Sequence, residues 1–168
     1  MRERKTVRKW FWAWDFEKEE QWLNMMAQSG WVLDGIGFCT YHFIACEPGE
    51  YTVRLEMHNH DPEYLDFMAE TEAEYVGRMT QWIYFRKKAV HGAFDIFSDL
   101  DSKIAHLDKI GKMLLLVGIA NLLIGFAAIC SIARMGVLDL LCATVIMYGL
   151  GRIHGKKEAL EKARAFRE

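Results

Sequence analysis

Proline and cysteine are scarce in this 168-residue chain, with two prolines and four cysteines. Four cysteines cannot build a dense disulfide scaffold. With 13 glycines and two prolines there is no collagen-like composition. A dominant charge is missing too: 21 Lys and Arg stand against 23 Asp and Glu, a formal net of −2. Since 52% of the residues are hydrophobic, intrinsic disorder is excluded. The length suits one ordinary domain plus an appendage. The chain has no G-x-x-x-x-G-K-[ST], no G-x-S-x-G and no H-E-x-x-H, and so lacks a phosphate loop, a nucleophile elbow and a zincin helix. No enzyme activity and no cofactor are expected.

What is present is divided unevenly. Residues 1–112 carry 14 Lys and Arg against 19 Asp and Glu, with all six Trp and 19 of the 22 aromatics. Residues 113–151 hold only two charges, Arg134 and Asp139. The sequence predicts a cytoplasmic α+β domain over 1–94, a linker and juxtamembrane helix over 95–112, a transmembrane hairpin over 113–153, and a basic cytoplasmic tail over 154–168.

Met113–Ala133 is an uncharged run of 21 residues, long enough as a helix to cross about 30 Å of hydrocarbon. Met135–Ile153 is the weaker second span. The short Ala133–Gly136 connection makes the two helices antiparallel neighbours. Lys103, Lys109 and Lys112 precede the first span, and Arg152, Lys156, Lys157, Lys162, Arg164 and Arg167 follow the second. The turn holds Arg134 alone, so both termini are expected in the cytoplasm of a multi-pass cell-membrane protein. The basic start MRERKTVRK is followed by WFWAWDFEKEE rather than an apolar run, so no secretory signal is expected. With the turn centred between Arg134 and Met135, Asn121 and Tyr148 share a depth. An amide in lipid needs a partner, so Asn121 is expected to face Tyr148 or a neighbouring chain. Gly151-x-x-x-Gly155 is too common a pattern to establish a homo-oligomer.

The aromatic-rich domain reads as a doubled unit. Lys9–Trp14 alternates like a strand, with Asp15 as helix cap. Trp22, Leu23, Met26 and Ala27 form a helical stripe that ends at Ser29-Gly30. Strands follow at Trp31–Ile36 and Phe38–Ala45. After the turn Glu47-Pro48-Gly49-Glu50 comes Tyr51–Met57. Asp61-Pro62 then starts a helix with the stripe Tyr64, Leu65, Met68 and Ala69, before strands Ala73–Arg78 and Trp82–Lys87. A shift of 42 residues lays Trp22-Leu23 on Tyr64-Leu65, Met26-Ala27 on Met68-Ala69, Gly35 on Gly77 and Phe43 on Phe85. The expected fold is a duplicated strand–helix–strand–strand unit forming an antiparallel sheet with two helices on one face, followed by the two-helix hairpin. Ser98, Asp99 or Asp101 caps the helix that enters the first span.

Large aromatics fall on both sides of the outer strands. A face without helices should then meet a ligand, a partner or the membrane surface, unless termini and linker cover it. The ligand- or partner-binding candidates are Trp12, Trp14, Arg54, Glu56, Trp82 and Tyr84. Trp and Tyr offer contact area and attraction for cations, and Arg54 and Glu56 orient polar groups. The expected occupant is an apolar or cationic small molecule, or a protein partner. The alternative is an accessory subunit of a membrane transporter or signalling complex. His58-Asn59-His60-Asp61 reads as a solvated turn before a capped helix rather than a metal site. Glu17-Lys18-Glu19-Glu20 reads as an exposed helix face. An acidic domain argues against direct nucleic-acid binding, whereas the basic tail suits an anionic inner leaflet.

The blocks WFWAWDFEKEEQWLNMMAQSGWVLDGIG, EYVGRMTQWIYFRK and FDIFSDLDSKIAHL resemble, in this order, the bacterial domain of unknown function 2812 family over about residues 7–107. The resemblance implies a short aromatic-rich domain ahead of hydrophobic spans. Many members of that family are encoded beside PadR-type transcription regulators, so the resemblance also implies a regulated, stress- or signal-linked membrane role. The chain departs from the family at Thr71-Glu72-Ala73-Glu74-Tyr75, where a Gly-Trp pair is common. The topology also resembles strand–helix–strand–strand modules, some of which bind small molecules in the cleft between repeats.

Overall fold

The structure is a computed structural model that describes residues 3–59, 61–97, 99–129 and 133–166. The chain splits into two compact units, Met1–Ile96 and Phe97–Glu168. The first is α+β and the second is a helical hairpin.

In the first unit, β1 (Arg4–Arg8) leads through a 3-10 turn at Ala13–Asp15 into α1 (Phe16–Gln28), β2 (Trp31–Gly37) and β3 (Thr40–Ala45). The order repeats as β4 (Tyr51–Met57), α2 (Pro62–Glu70), β5 (Glu74–Met79) and β6 (Trp82–Lys88). Each half makes a three-stranded antiparallel sheet, ordered β1-β3-β2 and β4-β6-β5. The strands therefore pair as two sheets rather than one continuous sheet. The duplication extends to its irregularities. β2 bulges between Leu33 and Gly35, and β5 between Tyr75 and Gly77, at the same 42-residue offset.

The bulges bring the two sheets edge to edge. A Cβ on Gly77 would lie 3.1 Å from Ile36 Cγ2, so glycine lets β5 approach β2. The residue extruded by the first bulge, Asp34, lies 3.3 Å from Arg86 on β6. Arg86 also donates to Leu33 O at 2.9 Å and to Glu74 at 2.7 Å. One guanidinium thus ties the halves together through charge-assisted bonds.

The first strand lies at Arg4–Arg8, ahead of the expected Lys9–Trp14. Arg4 to Arg8 pair with Ile44 to Thr40, and the amide of Lys9 makes one more bond, 3.1 Å to Cys39 O. Beyond it the aromatics stack instead of pairing. Trp12 lies flat on Trp14 with 4.8 Å between centroids, and Phe11 packs on Trp22 at 5.6 Å. Their alternation imitates a strand, whereas the true strand is a basic edge whose charges discourage further pairing. Asp15 precedes α1 but makes no side-chain cap; it pairs with Lys18 at 3.0 Å. Asp61 does cap α2, accepting from the Glu63 amide at 3.1 Å.

Strand β6 is buried on both faces. Ile83 and Phe85 join Met68, Ala73 and Phe94 in an apolar cluster beneath α2. Trp82 and Tyr84 point the other way, toward α1. The open edge of β4 is also occupied. The Asn24 amide accepts from Val53 N and donates to Val53 O, both at 2.9 Å, and Glu20 accepts from Leu55 N at 3.3 Å. Side chains of α1 therefore satisfy backbone groups that would otherwise pair with another strand.

The second unit consists of α3 (Leu100–Ile129) and α4 (Ala133–Ala165). Asp99 caps α3, accepting from the Ser102 amide at 2.7 Å; Ser98 lies outside the described residues. Both helices are long and apolar enough to cross a membrane. At 30 and 33 residues they also exceed the hydrocarbon thickness. Near their polar ends Asp108 pairs with Lys157 at 2.8 Å and Asp101 with Arg164 at 2.6 Å. The expected turn at Ala133–Gly136 is displaced, because Arg134, Met135 and Gly136 are already helical in α4. Glycines spaced by seven line the α3 seam. An added Cβ would meet Leu150 and Ile153 at Gly111, Met147 at Gly118 and Leu140 at Gly125. Small residues at this spacing let the helices close on each other.

Candidate functional site

Helical spacing puts Phe16, Glu19, Leu23 and Ala27 on the buried stripe of α1. Glu19 therefore points inward among apolar neighbours, only 6% exposed. This corrects the expectation of an exposed acidic face. The Glu19 carboxylate accepts from Tyr84 Oη at 2.7 Å and from Tyr41 Oη at 2.8 Å, both on Oε1. Tyr41 comes from β3 and Tyr84 from β6, so each sheet supplies one hydroxyl. One helical turn before Glu19, Phe16 stacks on Trp82 at 5.5 Å. Trp22, one turn after, packs edge-on to Tyr41 at 4.9 Å.

The electrostatics of this buried cluster are lopsided. Burial raises the Glu19 carboxyl above its ordinary value, and the two tyrosine hydroxyls only partly oppose that. The tyrosines shift upward in turn, chiefly by burial and then by the neighbouring carboxylate. Among the described residues no Lys, Arg or His pairs with Glu19. Its neighbour Glu20 is also raised by burial, but it has Arg54 at 3.3 Å. Two adjacent carboxylates thus differ in kind: one is matched by a base, and the other is enclosed by hydroxyls and rings.

The six candidates from the sequence separate in space. Trp82 and Tyr84 belong to the Glu19 cluster. Arg54 and Glu56 stand opposite Phe85 and Ile83 in the ladder and so belong to the α2 face. Glu56 accepts from Tyr64 of α2, and Arg54 turns around the β4 edge to Glu20. Trp14 is buried beneath the half-exposed Trp12. The aromatic face of the second sheet is thus covered by α1, and no single face unites the candidates. Glu19 and Tyr41 were missed. The available signal was the position of Glu19 three residues after Phe16 and four before Leu23, on an otherwise apolar stripe.

The remaining polar candidates have local partners. His58 stacks on Tyr64 at 4.1 Å and its Nδ1 lies 2.6 Å from Asn59 O. His60, on which the metal reading depends, lies outside the described residues, as do Cys130 and Ser131. Asn121 donates to Val117 O of its own helix at 2.8 Å, and Tyr148 is 63% exposed. The seam aligns Gly118 with Ile146 and Met147, and Gly125 with Asp139 and Leu140. Asn121 therefore lies level with Ala143 and Thr144. The structure does not bring Asn121 and Tyr148 together, because the turn comes earlier than expected.

A family model described as "Protein of unknown function (DUF2812)" matches residues 15–119, well over half of the chain. The chain belongs to the DUF2812 family. The match begins at the residue before α1 and runs into α3, so it includes Glu19, Tyr41 and Tyr84. No curated protein and no solved structure matches the chain.

Proposed function

We propose that this DUF2812 protein is a membrane-anchored, non-enzymatic sensing module whose cytoplasmic unit binds an organic cation at Glu19. The observation that carries the reading is a buried carboxylate with two hydroxyl donors, an aromatic surround and, among the described residues, no basic partner. Burying a charge without a counter-charge is costly. A cation supplied from outside removes that cost, and aromatic rings add attraction through their faces. The polar groups fixed by each sheet make the site sensitive to how the two halves are arranged. The excess of Lys and Arg over the first turns of α3 (Lys103, Lys109 and Lys112) and after the apolar part of α4, against Arg134 alone between the apolar runs, supports cytoplasmic termini.

The test is titration of the full-length protein in detergent with tetraphenylphosphonium, read by Trp emission. Glu19→Gln keeps the hydrogen-bond acceptor and removes the charge, and should weaken binding about tenfold or more. Tetraphenylborate, of the same shape and opposite charge, should not bind at this site. Equal binding of the cation by both proteins would refute the reading. Silence toward both ions, with a transporter co-purifying, would favour the accessory-subunit alternative.

A further inference from the structure

The exposed end of the first sheet carries a second feature that the Glu19 site does not use. Four of the six residues Arg4–Lys9 are basic and none is acidic. Where this strand ends, Trp10 is 54% exposed, Trp12 44% and Phe38, on the turn between β2 and β3, 77%. These rings form one cluster rather than scattered exposures. Trp10 meets Trp12 at 5.4 Å and Phe38 at 6.0 Å, both edge-on. Arg8, Lys9, Trp10, Phe38, Cys39 and Thr40 line an open groove of about 460 Å³ beside it. Apolar ring tips rimmed by cations are the combination that lets a protein surface enter the interfacial region of an anionic bilayer.

We infer that this patch docks the first unit onto an anionic membrane surface, with Trp10, Trp12 and Phe38 inserted among the headgroups and Arg4 and Arg8 bound to lipid phosphates. Two properties select a bilayer as occupant. The charge is of one sign over Arg4–Lys9, which complements an anionic leaflet. Residues 97–112 alone separate this unit from the first apolar run, so the chain itself keeps the patch within reach of lipid. Tethering lets a modest docking energy hold the unit down. Each basic residue at an anionic surface contributes about a fivefold factor in affinity.

The experiment uses the full-length protein in nanodiscs of phosphatidylcholine, with or without 30% phosphatidylglycerol, containing brominated acyl chains. Quenching of Trp emission reports ring depth, and the difference between the protein and Trp10→Phe isolates Trp10. Trp10 should be quenched in the anionic discs. The quenching should fall in the neutral discs and in high salt. The double reversal Arg4→Glu/Arg8→Glu should weaken docking by about 25-fold or more, from two lost attractions. Both arginines are exposed, and unchanged near-ultraviolet dichroism checks that the variant is folded. Salt and lipid composition test the unmutated protein, so a misfolded variant does not decide the result. Quenching that is absent, or identical in neutral and anionic discs, would overturn the proposal. Tetraphenylphosphonium binding through Glu19 is read separately, so either reading can fail alone.

Discussion

Glu19→Gln should stabilise the first unit at neutral pH even though it replaces a native side chain that accepts two hydrogen bonds. The raised carboxyl of Glu19 means that the folded state holds a proton the unfolded chain has already released. Stability from this group is therefore greatest below about pH 4.3, the ordinary glutamate value, and declines as pH rises toward the folded pKa. Glutamine does not titrate and accepts from the same two hydroxyls. The variant and the parent should agree in acid, and the variant should lead by about 1–3 kcal/mol at neutral pH, the scale of a desolvated charge. Tyr84→Phe removes the 2.7 Å bond. It should cost about 1.5–3 kcal/mol against an ionised Glu19, and about 0.5–1.5 kcal/mol in the Glu19→Gln background. The difference is the coupling energy of a double-mutant cycle. All six Trp belong to the first unit, so Trp emission follows that unit alone during thermal or urea unfolding. For about 100 residues, 1 kcal/mol is about 4–8 °C in Tm. A glutamine variant less stable than the parent at neutral pH, with an unchanged pH profile, would refute the reasoning.

Asn24→Ala should destabilise the first unit by about 1–3 kcal/mol, since it leaves the buried Val53 amide without its acceptor, whereas Val53 O keeps the Arg54 guanidinium at 3.2 Å; urea midpoints read by Trp emission check this, and Asn24→Asp should retain part of the loss. Gly136→Ala should loosen the hairpin by about 1–3 kcal/mol. Its Cβ would lie 2.7 Å from Gly125 O and 2.7 Å from Ile129 N, backbone atoms that cannot rotate away. Gly151→Ala, with nothing within 4 Å of the added carbon, is the matched control, and far-ultraviolet dichroism during heating in detergent compares the two.

The scaffold was legible wherever burial and sequence period agree. The strands at Tyr51–Met57 and Trp82–Lys87, the cap at Asp61 and the 42-residue repeat all follow from apolar alternation, helical spacing and turn chemistry, whereas the cap of α3 was narrowed only to Ser98, Asp99 or Asp101. The first strand was hidden because an edge strand need not be apolar. RKTVR pairs through its backbone while its charges stay wet, whereas WFWAW alternates for reasons of ring stacking. The hairpin turn was misplaced by a few residues because Arg134, read as part of the turn, is already helical in α4. The glycine seam at 111, 118 and 125 was readable as a period of seven. Its meaning required knowing which residues of α4 lie opposite.

Where the two repeats differ is what points to the Glu19 site. Helix α1 has 13 residues and α2 has nine, and the extra turn of α1 begins with Phe16 and ends with Glu19. The residue 42 positions beyond Glu19 is Asp61, which caps α2 instead of entering a core. The counterpart of Tyr41 is Ile83, part of an apolar cluster. The counterpart of Phe43 is Phe85, and both are buried. Duplication has therefore kept the packing residues, while the carboxylate, its Tyr41 donor and the aromatic link before α1 occur in one copy. A second copy of Glu19 is not needed to fold such a unit, since α2 covers its sheet without one. A buried acid retained only in the first half adds desolvation cost to a scaffold that the second half builds without it. A cation bound at Glu19, as proposed, would offset that cost and so couple occupancy of the site to the stability of the unit.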